Sequence, residues 1–257
     1  MSLPISSFIA NREAQIMKQR LDRLLVDTGR AESREKAQAL IMAGEVLVNG
    51  VKATKAGQTV APDAAIEILG RPPYVSRGGL KLTAALDHFH IDVSDRICLD
   101  VGSSTGGFTD CLLQHGARRV HAVDVGAGQL DWKLRTDSRV IVHEGINARY
   151  LDANQIGEPV DLIVCDVSFI SVTLILPALA PMFRPSDTQL VILIKPQFEA
   201  GKGEVGKGGI VRNPAVHAAA CDRVERAVRQ FGFTTGIIES PILGAEGNKE
   251  FLLYARY

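Results

Sequence analysis

The stretch LDVGSSTGGFTD, residues 99–110, decides the reading of the fold. With Ile97 and Cys98 ahead of it, it opens as an apolar run of the kind that forms a buried parallel strand. A turn rich in glycine follows, with Gly102, Gly106 and Gly107 spaced GxxxGG, and the next residues continue as a helix. Strand, glycine turn and helix in that order let a ligand approach the backbone closely at the carboxyl end of a strand. About 22 residues further on, the next apolar run, VHAVDV, ends in Asp124, where a carboxylate can accept from ribose hydroxyls. The pair points to a nucleoside-bearing cofactor, either a dinucleotide or S-adenosylmethionine. The spacing is not GxGxxG, and Asp100 would repel a pyrophosphate but suits the amino end of a methionine moiety. No GKS or GKT is present, so a P-loop is excluded. The competing reading is a tight strand-to-helix turn without a ligand.

Outward from this stretch, ICLDVG, VHAVDV, DLIVCDV and LVILIK read as buried parallel strands. Helices are expected near 106–115, 129–135, 172–182 and 214–231, the last framed by Pro214 and Gly232. Two strands, near 233–239 and 250–257, close the pattern. Alternating strands and helices predict an α/β fold, a doubly wound sheet with its site at the carboxyl ends of the strands. Residues 17–70 read as a small separate α+β unit. Leu21, Leu24, Leu25 and Thr28 have helical spacing before Gly29; Ser33 caps a second helix through Ala37, Leu40 and Ile41, stopped at Gly44. EVLVNGVKAT is a hairpin turning at Asn49-Gly50, and Ile66 and Ile68 alternate in a further strand. The break at Gly70-Arg71-Pro72-Pro73 divides the chain. The expected organisation is an extension, 1–16, without assigned role; the small unit, 17–70; a linker and lead-in loop, 71–79, with Pro72-Pro73 as a semi-rigid joint; and the sheet domain, 80–257. The loop 201–211, rich in Gly and Lys, is expected to be mobile.

The 257 residues are 46% hydrophobic and 23% charged, which excludes a disordered, collagen-like or coiled-coil chain. No apolar run reaches the ~18–20 residues of a membrane span, and the first ten residues lack the marks of a secretory signal. Four scattered cysteines, Cys98, Cys111, Cys165 and Cys221, fit a reducing cytoplasm and neither a disulfide framework nor a zinc site. The net charge is zero, but residues 1–81 carry 12 Lys/Arg against 8 Asp/Glu, and the remainder 17 against 21. A basic head on a mildly acidic body suggests a polyanionic partner.

Four polar residues stand in otherwise apolar places. Asp166 ends one strand and Lys195 its neighbour; Lys81 follows Arg77, Gly78 and Gly79, a loop suited to presenting it; Glu250 opens the last strand. Each has an ordinary alternative: a helix cap, a snorkelling lysine, an exposed helix lysine and a surface charge. In the head, Lys18, Arg20, Arg23, Arg30, Arg34, Lys36, Lys52 and Lys55 form a candidate phosphate-contacting face, weighed against a solvated surface interleaved with Asp22, Asp27, Glu32 and Glu35. The six histidines lack metal-ligand spacing and read as structural or surface groups. Trp132 reads as core or pocket wall.

Together these residues resemble the TlyA family, often labelled hemolysin A. The stretch from Met17 to Gly50 resembles that family's S4-like RNA-binding domain. YVSRGGLKL, DVGSSTGGFTD, VDVG, CDVSFIS, IKPQFE and GNKEF, in that order, resemble its methyltransferase domain, similar to the FtsJ-type ribose methyltransferases. The resemblance implies a Rossmann-like methyltransferase sheet with a small N-terminal S4-like domain, and 2′-O-methylation of a ribose, of cytidine, in ribosomal RNA from S-adenosylmethionine. It implies a catalytic tetrad of Lys81, Asp166, Lys195 and Glu250; within it, the chemistry of the transfer assigns Lys195 as base, with Lys81 helping to lower its pKa and position the hydroxyl, and the carboxylates orienting both lysines. The cofactor site is expected at Asp100, Gly102, Ser103, Ser104, Thr105, Gly106, Gly107, Phe108, Asp124 and Asp166. RNA contacts are expected from Lys18, Arg20, Arg23, Arg34, Lys36, Lys52 and Arg77. The expected partner is ribosomal RNA or a ribosomal subunit, met in the cytoplasm by a monomer, with no metal and no membrane. The alternatives are a non-catalytic RNA-binding or ribosome-assembly factor and, further off, a membrane-acting haemolysin.

Overall fold

A computed structural model describes residues 18–70, 73–184, 187–201, 203–244 and 246–257. The expected extension 1–16, Pro72 of the expected joint and Lys202 of the expected mobile loop lie outside the described residues. The chain divides into two compact units, Met1–Arg71 and Pro72–Tyr257.

In the small unit, β1 (Gln19–Arg20) leads into α1 (Leu21–Asp27), followed by α2 (Arg34–Met42), β2 (Val46–Val48), β3 (Val51–Lys52), β4 (Thr59–Val60) and β5 (Ile66–Ile68). Ser33 caps α2, its side chain accepting from the Lys36 N–H, and Asn49 and Gly50 turn the hairpin with positive φ at both. Strands β3, β2 and β5 form one antiparallel sheet, and β1 pairs with β4. Leu21, Leu24 and Leu25 of α1 bury with Ala37 and Ile41 of α2 and Val46 of β2. Asp22 shares that helix and is also fully buried. Its carboxylate accepts from Arg20 at 3.0 and 2.8 Å, from Arg34 at 3.1 Å and from Gln38 at 3.0 Å. The hydrogen bonds from Arg20 hold its pKa well below the usual carboxylate range.

The large unit runs α3 (Gly78–Phe89), β6 (Ile97–Val101), α4 (Gly107–Gln114), β7 (Arg119–Asp124), α5 (Trp132–Arg135), β8 (Val140–Glu144), α6 (Ala153–Ile156), β9 (Leu162–Cys165), α7 (Leu176–Leu179), β10 (Gln189–Ile194), α8 (Pro196–Glu199), α9 (Pro214–Arg229), β11 (Thr234–Glu239) and β12 (Phe251–Arg256). The sheet order is β11-β12-β10-β9-β6-β7-β8; β12 runs antiparallel to both its neighbours and the other pairings are parallel. The chain starts the sheet at β6, builds outward through β7 and β8, then returns to lay β9 on the other side of β6. The switch point therefore lies between β6 and β9, where a crevice opens beyond the strand ends.

Period-two alternation sends successive strand residues to opposite faces. Cys98, Leu162 and Val164 pack on one face with Leu82, Leu86 and Leu112 of α3 and α4. Leu99, Ile163 and Cys165 pack on the other with Leu176 and Leu179 of α7 and Val224 of α9. Covering both faces explains why these strands read as continuous apolar runs. Two details differ from the sequence expectation. The helix expected at 172–182 is three short pieces, because Pro177 and Pro181 interrupt it. Strand β8, at the sheet edge and only partly buried, is absent from the sequence expectation, its apolar run being only Val140–Val142. Among the described residues, no helix is long and apolar enough to cross a membrane, and no group of three or more His, Cys, Asp and Glu side chains could hold a metal ion.

Candidate active site

A cleft of two lobes opens at the switch point. The larger, ≈ 480 Å³, is walled by the glycine turn, the end of β7 and the segments after β7, β8 and β9. The smaller, ≈ 280 Å³, is lined by Lys81, Asp166, Lys195 and Glu250 together with the glycine turn. Gly102, Ser104, Asp166 and Ser168 line both lobes. The larger lobe lies within the ~300–1,000 Å³ of small-molecule sites.

The glycine turn shapes the cleft floor. Gly102 has φ +86°, and a Cβ there would meet the Asp166 carbonyl oxygen at 2.4 Å, so only glycine lets β6 and β9 end this close together. A Cβ at Gly107 would meet Ser76 Oγ at 2.1 Å, which seats the segment leading into α3 against the start of α4. Ser103, Thr105, Gly107 and Phe108 line the small lobe. Asp124 lines the large lobe; its two carboxylate oxygens accept from Ser104 N–H at 2.8 Å and Gly126 N–H at 2.7 Å, fastening the glycine turn to the end of β7. A carboxylate has further lone pairs for ribose hydroxyls.

Two expected cofactor residues do not reach the cleft wall. Gly106 caps α4 beneath Leu130 and Leu134. Asp100 is 0% exposed, on the sheet face that packs against α4. Thr109 Oγ1 donates to its Oδ2 at 2.6 Å, while Oδ1 is buried without a partner among the described residues. Burial pushes this carboxyl up to about 7. An orphaned, desolvated carboxylate oxygen under the glycine turn suits a cationic ligand group, as the chemistry of an amino-acid cofactor requires.

The tetrad residues converge from four elements. Lys81 lies in the second turn of α3 and is 8% exposed; its Nζ donates to Glu250 Oε2 at 2.5 Å. Glu250, also buried, precedes β12, and its carbonyl accepts from Ser240 N–H at 2.9 Å, extending the β11–β12 ladder. Asp166 follows β9 and extends the β9–β6 ladder through its N–H to the Val101 carbonyl at 2.9 Å. Lys195 follows β10. Its Nζ lies 2.6 Å from Asp166 Oδ1, an ion-pair contact whose angles do not make a hydrogen bond, and donates to Ser168 Oγ at 2.8 Å. The site thus holds two lysine–carboxylate pairs, Lys81 with Glu250 and Lys195 with Asp166. Removing one partner of so enclosed a pair leaves the other charge uncompensated.

Arg77 is exposed and lines the small lobe with the tetrad. In the small unit, Lys18, Arg20, Arg23, Arg34, Lys36 and Lys52 are all exposed. The reading as interleaved solvated charge also has support, because Lys36 pairs with Glu32, while Arg20 and Arg34 hold Asp22. Trp132 is neither core nor pocket wall: it is 75% exposed, because the buried side chains Leu130 and Leu134 anchor its segment instead. The loop expected to be mobile is tied at its end by buried Asn248, whose side chain donates to the Gly209 carbonyl and accepts from Val211 N–H, each at 2.9 Å. Ser168 and Phe169 were not singled out by sequence, although both lie within CDVSFIS. Phe169 is 91% exposed on the large lobe with φ +65°. A polar or aromatic residue just after a strand-end aspartate was the available signal.

The FtsJ-like methyltransferase family matches residues 74–257, and the S4 domain family matches residues 19–66. The chain is 46% identical over 240 residues to "16S/23S rRNA (cytidine-2'-O)-methyltransferase TlyA" of Mycobacterium tuberculosis, covering 92% of this chain and 89% of that one. It is 44% identical over 237 residues to "Hemolysin A" of Brachyspira hyodysenteriae, covering 91% and 98%. A solved structure from Streptococcus thermophilus aligns with a TM-score of 0.71 at 44% identity, covering 94% of this chain and 89% of that chain. With both units matched in this way, the chain belongs to the TlyA family of FtsJ-like methyltransferases that carry an S4 domain.

Proposed function

We propose that this protein transfers a methyl group from S-adenosylmethionine to the 2′-hydroxyl of a cytidine ribose in ribosomal RNA, and that its S4 domain holds the RNA. The observation that carries the reading is the convergence of Lys81, Asp166, Lys195 and Glu250 on a cleft floored by the glycine turn. The cofactor would occupy the larger lobe, with Asp124 toward its ribose, the glycine turn along its backbone-facing side and Asp100, buried beneath the turn, favouring its cationic end by charge rather than by contact. When bound, it supplies a methyl group on a sulfonium, ready for displacement.

The protein's part is to bring a ribose hydroxyl to that methyl and to take its proton. The hydroxyl is a poor nucleophile until the proton leaves, and a lysine accepts a proton only in its neutral form. Desolvation and a neighbouring cation favour that form; a neighbouring carboxylate opposes it. Lys195 is assigned as base because it follows a strand end and lines the small lobe, where Asp166 and Ser168, which border both lobes, fix its direction. Lys81, held by Glu250, positions the hydroxyl and contributes positive charge. Alignment of oxygen, methyl and sulfur supplies much of the remaining rate. Lys18, Arg20, Arg23, Arg34, Lys36 and Lys52 hold phosphates, and Arg77 guides the target nucleotide at the small lobe. With ribosomal RNA as its substrate, the protein would act in the cytoplasm on RNA or ribosomal subunits.

Two assays on one variant test this reading. Lys195→Ala is expected to lose more than nine-tenths of methyl transfer to ribosomal RNA while binding S-adenosylmethionine within about threefold of wild type by calorimetry. Residual transfer above a tenth of wild type contradicts the assignment of Lys195 as base.

A further inference from the structure

The strongest unassigned group near the cleft is Glu199, at the end of α8. It is buried, touches none of the tetrad and lies outside both lobes. Its surroundings link the two segments that carry the Lys195–Asp166 pair. β9 and β10 are parallel neighbours, and the chain continues beyond their ends as residues 166–172 and 195–199. Three contacts fasten these segments. Lys195 meets Asp166 at 2.6 Å and Ser168 at 2.8 Å. The rings of Phe198 and Phe169 lie 5.2 Å apart. At the far end, Glu199 Oε2 accepts from Ser171 Oγ at 2.5 Å and Oε1 accepts from Val172 N–H at 2.8 Å. Arg223 of α9 donates to the backbone carbonyl of Glu199, anchoring the fastening to the long helix.

The fastened segment needs such a hold. Phe169 sits in the left-handed region at φ +65°, which side chains other than glycine rarely adopt unless their surroundings impose it. Only Ile170 separates this residue along the chain from Ser171 and Val172, the two residues that Glu199 grips. Burial also pushes the Glu199 carboxyl upward, a cost that a merely decorative surface acid would not carry.

We propose that Glu199 is a positioning residue for methyl transfer: by gripping Ser171 and the Val172 N–H, it holds residues 166–172 against 195–199 and sets the register of Asp166, Ser168 and Lys195. The inference rests on the reading of Lys195 and Asp166 as the reactive pair.

The test uses the full chain, labelled S-adenosylmethionine and ribosomal subunits from cells lacking this gene. Each variant is assayed well below its own melting temperature. Glu199→Ala is expected to lower kcat about 10- to 100-fold, as a misplacement of about 1 Å does, with the KM for RNA within threefold. Glu199→Gln keeps an acceptor for Val172 and is expected to recover kcat to within about fivefold of wild type. Ser171→Ala, the milder cut, is expected to lower kcat about three- to tenfold. The pH dependence of kcat separates positioning from mere loss of fold: Glu199→Ala is expected to move its limbs, whereas partial unfolding lowers the amplitude alone. Glu199→Ala turning over within threefold of wild type overturns the proposal, as does a Gln variant as poor as the Ala variant. If Glu199→Ala does not fold, Ser171→Ala decides, and wild-type kcat in that variant overturns the proposal. No transfer by the wild-type protein is a different failure, that of the methyltransferase reading itself.

Discussion

Asp100 shows how one buried residue can link ligand binding to pH. Its carboxyl is raised to about 7 because burial disfavours the charge, and Thr109 offsets only part of that. The folded state therefore binds the proton more tightly than the unfolded chain, whose carboxyl titrates near ~3.9. Stability from this group is full below about pH 4 and falls as pH rises to about 7. Asp100→Asn is expected to melt with wild type at pH 4 and higher than wild type at pH 8, by at most about 4 kcal/mol, while binding S-adenosylmethionine at least tenfold more weakly. Melting curves at the two pH values and calorimetry check it; a variant less stable than wild type at pH 8 contradicts the burial argument. Residue identity was the most legible level at the site. Lys81, Asp166, Lys195 and Glu250 stood out singly as charges in apolar contexts, each with an ordinary alternative; their grouping as a tetrad came from the family resemblance. Their pairing was not legible: Lys81 and Glu250 lie 169 positions apart and meet only through the sheet. Trp132 was misread because its own neighbours do not reveal that Leu130 and Leu134 take the buried places.

Among elements, the glycine turn after β6 and the helix α1 carry the sharpest consequences. Gly102→Ala forces a side chain against the Asp166 carbonyl at positive φ. Parting β6 from β9 there is expected to cost about 1–3 kcal/mol of stability and at least tenfold in cofactor affinity, read by melting and by calorimetry. Asp22 is the reverse of Asp100. Its carboxyl is held down by Arg20, so its contribution is present above the ordinary carboxylate range and is lost as pH falls below about 4. Asp22→Ala is expected to destabilise the S4 unit by about 1–3 kcal/mol and to blunt its acid sensitivity, measured by melting between pH 3 and 7. Elements were legible where burial imposes a period: α1, α2, the hairpin and the four central strands. Edge strand β8 was not, since its apolar run spans only Val140–Val142, and the segment 172–182 concealed its breaks because its apolar spacing stays helical across two prolines.

For the whole molecule, the proposed function divides the work: the S4 unit would read the RNA, and the sheet unit would bind the cofactor and react. A small cleft cannot choose one ribose among thousands, whereas a basic module can hold a structured RNA by shape and phosphates. A chain lacking residues 18–70 is expected to bind S-adenosylmethionine within threefold of the intact protein and to lose at least 100-fold in RNA affinity, measured by calorimetry and filter binding. The change of pattern and the proline-rich break place the expected boundary at residues 70–73, and the two compact units divide between Arg71 and Pro72. The most direct measurement is methyl transfer from labelled S-adenosylmethionine to ribosomal subunits lacking the modification, mapped to nucleotide and sugar atom. The account predicts label on a cytidine 2′-oxygen, lost with Lys195→Ala. Label on a base atom, or equal labelling by the Lys195→Ala protein, would contradict it.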